Sequence, residues 1–205
     1  MAISDNEIGQ ILSLTGRGKV PLTGGPAGSL KSPLSETMSF DCAVSANVIA
    51  TGVMELTSIY LIQGQIVSSI NYVSGSTAES GGSHLWFALY DDGRGSATAN
   101  QLALLSQTTD QTGAAAFAAN TNLGLALNSP VVATYTGIYY VAIMCVGTTP
   151  TLAGVTRTST ASIQIAGAGT GAVFGGTAGS SLTTTAPNPS GAVTGSVRTN
   201  YAYVS

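Results

Sequence analysis

HLWFALY at residues 84–90 and IYYVAIMCV at residues 138–146 decide the fold class. In the first run, Leu85, Phe87 and Leu89 fall on one face of an extended chain, with His84, Trp86, Ala88 and Tyr90 on the other. In the second, neither face carries a polar side chain. A strand with one wet face alternates apolar with polar, so both runs predict strands covered on both sides, by the C-terminal segment or by a neighbouring subunit. The 138–146 run is the longest unbroken apolar stretch, yet it is less than half of the roughly 20 residues that a membrane-crossing helix needs.

Working outward, the same character continues through FDCAVSANVIA (40–50), MELTSIYLI (54–62), QIVSSINYV (65–73), LALLSQT (102–108) and TNLGLAL (121–127). These are short β-branched or aromatic runs separated by Gly, Ser and Asn clusters, a spacing that predicts an all-β antiparallel sandwich or jelly roll rather than βαβ units. Asp91-Asp92-Gly93-Arg94-Gly95 reads as a hairpin turn. After Pro150, ASIQIA, GAVFGG, SGAVTGSV and NYAYV read as weak edge strands among long Gly/Ser/Thr-rich loops. The domain body is therefore expected over 36–205.

Residues 1–35 have a different composition. Ser4 with Glu7 forms a capping box, Ile3 with Ile8 a hydrophobic staple, and Gly16 a stop, so the spacing predicts a short helix from Ser4 to about Ser13. Ile8, Ile11 and Leu12 share its apolar face. Residues 15–35 hold three prolines and three of the six basic residues, which predicts an extended arm. A helix this short is marginal alone, so Ile3, Ile8, Ile11 and Leu12 are the expected assembly anchor.

Charged residues are 7% of the chain, against about 25% in an average soluble domain. Six Lys and Arg against nine Asp and Glu leave no basic stripe for a phosphate backbone, so no nucleic-acid partner is expected. The first ten residues carry two acids and no base, unlike the start of an export signal. Cys42 and Cys145 form neither a disulfide framework nor a CxxC pair, and both are expected as small apolar core residues.

Candidate chemistry is sparse. His84 is the only histidine, with no Cys, Asp or second His at catalytic spacing in the sequence, and no HxH or HExxH pattern is present for a metal. Carboxylates for glycoside hydrolysis would have to be drawn from Glu36, Asp41, Glu55, Glu79, Asp91, Asp92 and Asp110. Ile163 to Ala172 has the form of a strand followed by GxGxxA. No helical period follows it, and no acid occurs after Asp110 to hold a ribose, so it is no dinucleotide site. No catalytic residue, cofactor or metal is expected. The face that carries His84, Trp86 and Tyr90 is instead expected to meet a subunit or a ligand. Self-association follows from that reading, with a trimer favoured, and sugars stacking on aromatics are the alternative.

The runs at 56–79, 83–92, 108–127 and 136–154 resemble β-sandwich domains of structural proteins in tailed phages of actinobacteria. The resemblance covers roughly residues 52–155 and is most specific at WFALYD (Trp86 to Asp91) and GIYYVAIM (Gly137 to Met144). Phe117 stands where that family would carry Trp. The resemblance implies a non-enzymatic virion component, either a minor tail or fibre-like protein or a capsid decoration protein, exposed on the particle. Its partners would be other virion proteins, with host-surface glycans as an alternative and neither nucleic acid nor membrane.

Overall fold

The computed structural model describes residues 35–43, 45–91, 101–111, 117–156 and 175–205. The chain divides into two units, Met1–Ser32 and Pro33–Ser205, and all described residues belong to the second. The anchor helix with Ile3, Ile8, Ile11 and Leu12, the turn beyond Asp91 and the glycine motif at 163–172 lie outside the described residues.

Thirteen strands are described: β1 (Ser35–Glu36), β2 (Ser45–Val48), β3 (Met54–Leu61), β4 (Ile66–Val73), β5 (Ser80–Asp91), β6 (Leu104–Gln107), β7 (Asn122–Val132), β8 (Gly137–Thr148), β9 (Thr151–Thr156), β10 (Gly175–Ala178), β11 (Thr194–Gly195), β12 (Arg198–Asn200) and β13 (Ala202–Val204). They form three sheets, ordered β1-β13-β4-β7, β11-β10-β3-β8-β5-β6 and β12-β9-β2. Every pairing among them is antiparallel. The architecture is all-β, as the period-two runs predict.

The two deciding stretches lie side by side. β5 and β8 pair from His84 opposite Val146 to Asp91 opposite Tyr139, in the middle of the six-stranded sheet. Pro130 has no N–H for a ladder, and β7 carries it as the last strand of the four-stranded sheet. Gly154 and Gly175 mark close approaches: a Cβ on either would run into the backbone of β12, at the carbonyl of Thr199 or of Arg198. β12, an edge strand of the three-stranded sheet, thus packs tightly on its neighbour β9 and against the six-stranded sheet at β10.

FDCAVSANVIA is not one strand. Phe40–Cys42 forms a 3₁₀ turn, closed by the Ala43 N–H donating to the Phe40 carbonyl, and only Ser45–Val48 is extended. Phe40 meets the ring of Tyr201 edge-on at 5.0 Å, an aromatic contact that a continuous strand pattern does not reveal. Cys42 is exposed here, contrary to the expectation of a core residue, whereas Cys145 is fully buried.

The six-stranded sheet has an apolar core on each face. On one face Ile59, Phe87, Leu89, Val141 and Ile143 pack with Val67, Ile70 and Tyr72 of β4 and with Ala202 and Val204 of β13. On the other, Met54, Leu56, Trp86, Tyr90 and Met144 pack with Leu102, Ala178 and Ala186, joined by Leu182 and Val193. The double coverage read from HLWFALY and IYYVAIMCV is real, and it comes from the chain itself. These two strands therefore call for no neighbouring subunit to cover them, and the apolar faces from which a trimer was expected are internal.

Candidate functional site

His84, Trp86, Ala88 and Tyr90 project from β5 toward the second core. Residues 179–193, an irregular strap that runs up to β11 at Thr194, cover Trp86, Ala88 and Tyr90. Its sequence, GSSLTTTAPNPSGAV, has two prolines and no apolar alternation, so it cannot complete a ladder. Individual bonds pin it instead. Trp86 Nε1 donates to the Thr183 carbonyl at 2.6 Å, and the Tyr90 hydroxyl donates to the Pro187 carbonyl at 2.9 Å. The Ala186 N–H donates to Gln107 Oε1 at 2.8 Å, and Leu102 and Ser190 exchange two further bonds. Trp86 and Tyr90 are wholly buried, and burial pushes the Tyr90 hydroxyl far above its ordinary pKa. Both side chains, expected to meet a subunit or a ligand, are here buried beneath the chain's own strap.

His84 does have an orienting partner, which corrects the reading of an isolated imidazole. Its Nδ1 lies 2.6 Å from Asp110 Oδ2, while Asp110 Oδ1 accepts the Leu85 N–H at 3.0 Å. The ladder continues past β6 to place the aspartate there: the N–H groups of Thr108 and Gln111 donate to the carbonyls of Phe87 and Leu85. Asp110 therefore fixes the imidazole and the start of the apolar run together. The aspartate thus clips the imidazole to the strand that carries it.

Among the described residues, the candidate carboxylates Glu36, Glu79 and Glu55 are held by different partners. Glu36 accepts from the Tyr201 hydroxyl at 3.1 Å. Glu79 is buried, and its carboxylate accepts the Phe117 N–H at 3.2 Å while its own N–H donates to the Phe117 carbonyl. This clamp seats Phe117 in the first core. Cys145 lies beside it, its thiol pushed up to about 12 by burial and secondarily by the Glu79 carboxylate. Such a thiol is not a nucleophile near neutral pH. Among the described residues, no group of three or more His, Cys, Asp and Glu is placed to hold a metal.

Sequence reasoning named Glu55 as one of seven carboxylates without singling it out, and it is the most perturbed acid among the described residues. Glu55, in the middle of MELTSIYL, is 1% exposed, and Arg198 Nη2 of β12 approaches its Oε1 at 3.3 Å. That oxygen nonetheless has no hydrogen-bond partner, so the contact is an ion pair without an aligned N–H. Burial pushes the carboxyl up to about 6, with Arg198 opposing the shift. Close by in electrostatic terms, the buried Tyr72 hydroxyl is also unpartnered, and its pKa is raised by burial and then by the Glu55 charge. An acid inside an apolar run was the available signal.

Two surface features complete the picture. An open groove of about 320 Å³ is lined by Phe40, Ala43, Ala46, Ser74, Asn120 and Ala153, among others. Phe40, Val48, Tyr60, Ile62, Ile66, Leu105 and Val132 are large apolar side chains left exposed. Among the described residues no helix is long and apolar enough to cross a membrane. No family model matches the chain, and no curated protein matches it.

Proposed function

We propose that this protein is a non-enzymatic structural component of a bacteriophage virion, a minor tail or fibre-like protein or a capsid decoration protein. Its antiparallel sheets would act as a sandwich-type module on the particle surface, attached through residues 1–35. The observation that carries this reading is the internal use of the candidate site. Trp86 and Tyr90 pack under the chain's own strap and His84 is clipped by Asp110, while large apolar side chains such as Ile62, Ile66 and Val132 remain outside. Exposed apolar side chains suit contacts within an assembly, and self-association is sought there rather than at residues 84–90. The resemblance at residues 52–155 and the division of the chain after Ser32 support the same reading.

A second reading, binding of host-surface carbohydrate, rests on the groove beside Phe40, where an exposed ring stands with Ser74, Ser76 and Asn120. Electron microscopy of virions carrying labelled protein tests the first reading and separates tail from capsid. A truncation beginning at Lys31 is expected to remain β-rich by circular dichroism and to fail to join particles. Equal incorporation of the truncated chain overturns the anchor, and a glycan array on the full chain tests the carbohydrate reading.

A further inference from the structure

We propose that the Glu55–Arg198 contact is a protonation-controlled latch that holds strand β12 against the six-stranded sheet. Glu55 stands on a central strand, opposite Ile143 of β8 on one side and Thr177 of β10 on the other, neither of them titratable. From β12 it faces the Arg198 guanidinium, and from β4 the Tyr72 phenol exerts the other ionisable influence. Arg198 pairs with Thr156 of the three-stranded sheet, so this single ion pair spans two sheets.

The geometry makes the latch weak in a particular way. A buried carboxylate is tolerated when hydrogen bonds satisfy its oxygens, and here Oε1 has a cation at 3.3 Å but no aligned donor. The carboxylate is thus held by charge alone, and a proton removes that attraction. Arg198 has a way out, because its side chain is 30% exposed. Neutral bonds remain to keep β12 near its place: Asn200 N–H donates to Thr57 Oγ1 at 3.3 Å, and Asn47 Nδ2 donates to Asn200 Oδ1 at 2.9 Å. The carboxyl's shift to about 6 puts the change in mildly acidic solution.

The latch has a signature that sets it apart from ordinary acid unfolding. Protonation relieves a buried charge and so favours the folded chain over the unfolded one, while it loosens β12 within the folded chain. Global stability and local protection therefore move in opposite directions. Amide hydrogen exchange of the full-length chain at about pH 5 and about pH 7.5, corrected for intrinsic rates, reads both. Protection at residues 198–200 is expected to fall about tenfold in acid, equivalent to a loss of about 1.4 kcal/mol of latching attraction. Protection across β8 is expected not to fall.

Glu55→Gln should hold residues 198–200 at the acid level at both pH values, and His84→Asn should leave the wild-type response intact. If Glu55→Gln fails to fold, Arg198→Met removes the same contact from its exposed end and should give the same flat profile. Equal protection of residues 198–200 at both pH values in the wild type overturns the latch. So does a tenfold fall that persists in Glu55→Gln or disappears in His84→Asn.

Discussion

The two faces of the six-stranded sheet are covered by opposite means. On the first, regular strands β4 and β13 bring Val67, Ile70, Tyr72, Ala202 and Val204 onto Phe87 and Val141, so the apolar pattern of each layer closes the other. On the second, a strap without regular structure covers Trp86, Tyr90 and Met144, and it supplies little apolar surface beyond Leu182, Ala186 and Val193. Its position is set by side chains that reach out from the sheet, the indole of Trp86, the phenol of Tyr90 and the amide of Gln107. Packing fixes one cover and hydrogen bonds fix the other. The second cover should accordingly open by itself more readily than the first.

The largest test of that contrast removes one ring from each face. Trp86→Ala and Phe87→Ala delete adjacent, fully buried side chains that point in opposite directions, and each is expected to cost about 3–5 kcal/mol in denaturant unfolding. The costs should be similar while the exchange patterns differ: Trp86→Ala should expose residues 179–193 below the global transition, and Phe87→Ala should not. A loss under about 1 kcal/mol for Trp86→Ala would mean that the strap is no real cover.

A smaller effect comes from the charge at Glu55. Its folded pKa is raised from 4.5 to about 6, so the protonated form is favoured in the folded chain. The associated stability is fully present below about pH 4.5 and is lost as the pH rises through about 6. At 1.36 kcal/mol per unit this amounts to about 2 kcal/mol. Urea midpoints should therefore be higher near pH 5 than near pH 7.5, and Glu55→Gln should remove most of the difference. A wild-type midpoint that falls in acid would contradict the sign.

The comparison also shows what the sequence makes legible. Strand identity and double burial were readable, because IYYVAIMCV leaves no wet face and HLWFALY sets large apolar groups on both. The identity of the cover was not. GSSLTTTAPNPSGAV carries no periodic signal, and its order arises from bonds to Trp86, Tyr90 and Gln107, at least 79 positions away in the chain. For the same reason the C-terminal segment and a neighbouring subunit stood as alternative covers. Asp110 escaped notice as the partner of His84 because their 26-residue separation is bridged only by the ladder of β6 onto β5. Glu55 was visible as an acid among apolar neighbours, but its environment depends on Arg198, which only the folded chain brings near.

The smallest effects distinguish the two faces most cleanly, because one chemical change can be made on both. Tyr90→Phe removes a hydroxyl that donates to the Pro187 carbonyl at 2.9 Å and leaves that strap carbonyl without its partner. The expected cost is about 1 kcal/mol, the net worth of one hydrogen bond, together with faster exchange in residues 179–193. Tyr72→Phe removes a hydroxyl that is fully buried in the first core with no partner at all. Its loss should be neutral or stabilising by up to about 1 kcal/mol, since a buried unpaired hydroxyl carries a desolvation penalty that phenylalanine lacks, and the ring keeps its contact with Phe87 at 4.9 Å. It should also lower the exposure of Glu55 to an unsatisfied dipole without touching the Arg198 contact, so the acid response of residues 198–200 should survive. A Tyr72→Phe variant less stable than the wild type by 1 kcal/mol or more would show that this hydroxyl has a partner in solution, and the contrast between a face held by packing and a face held by hydrogen bonds would have to be redrawn.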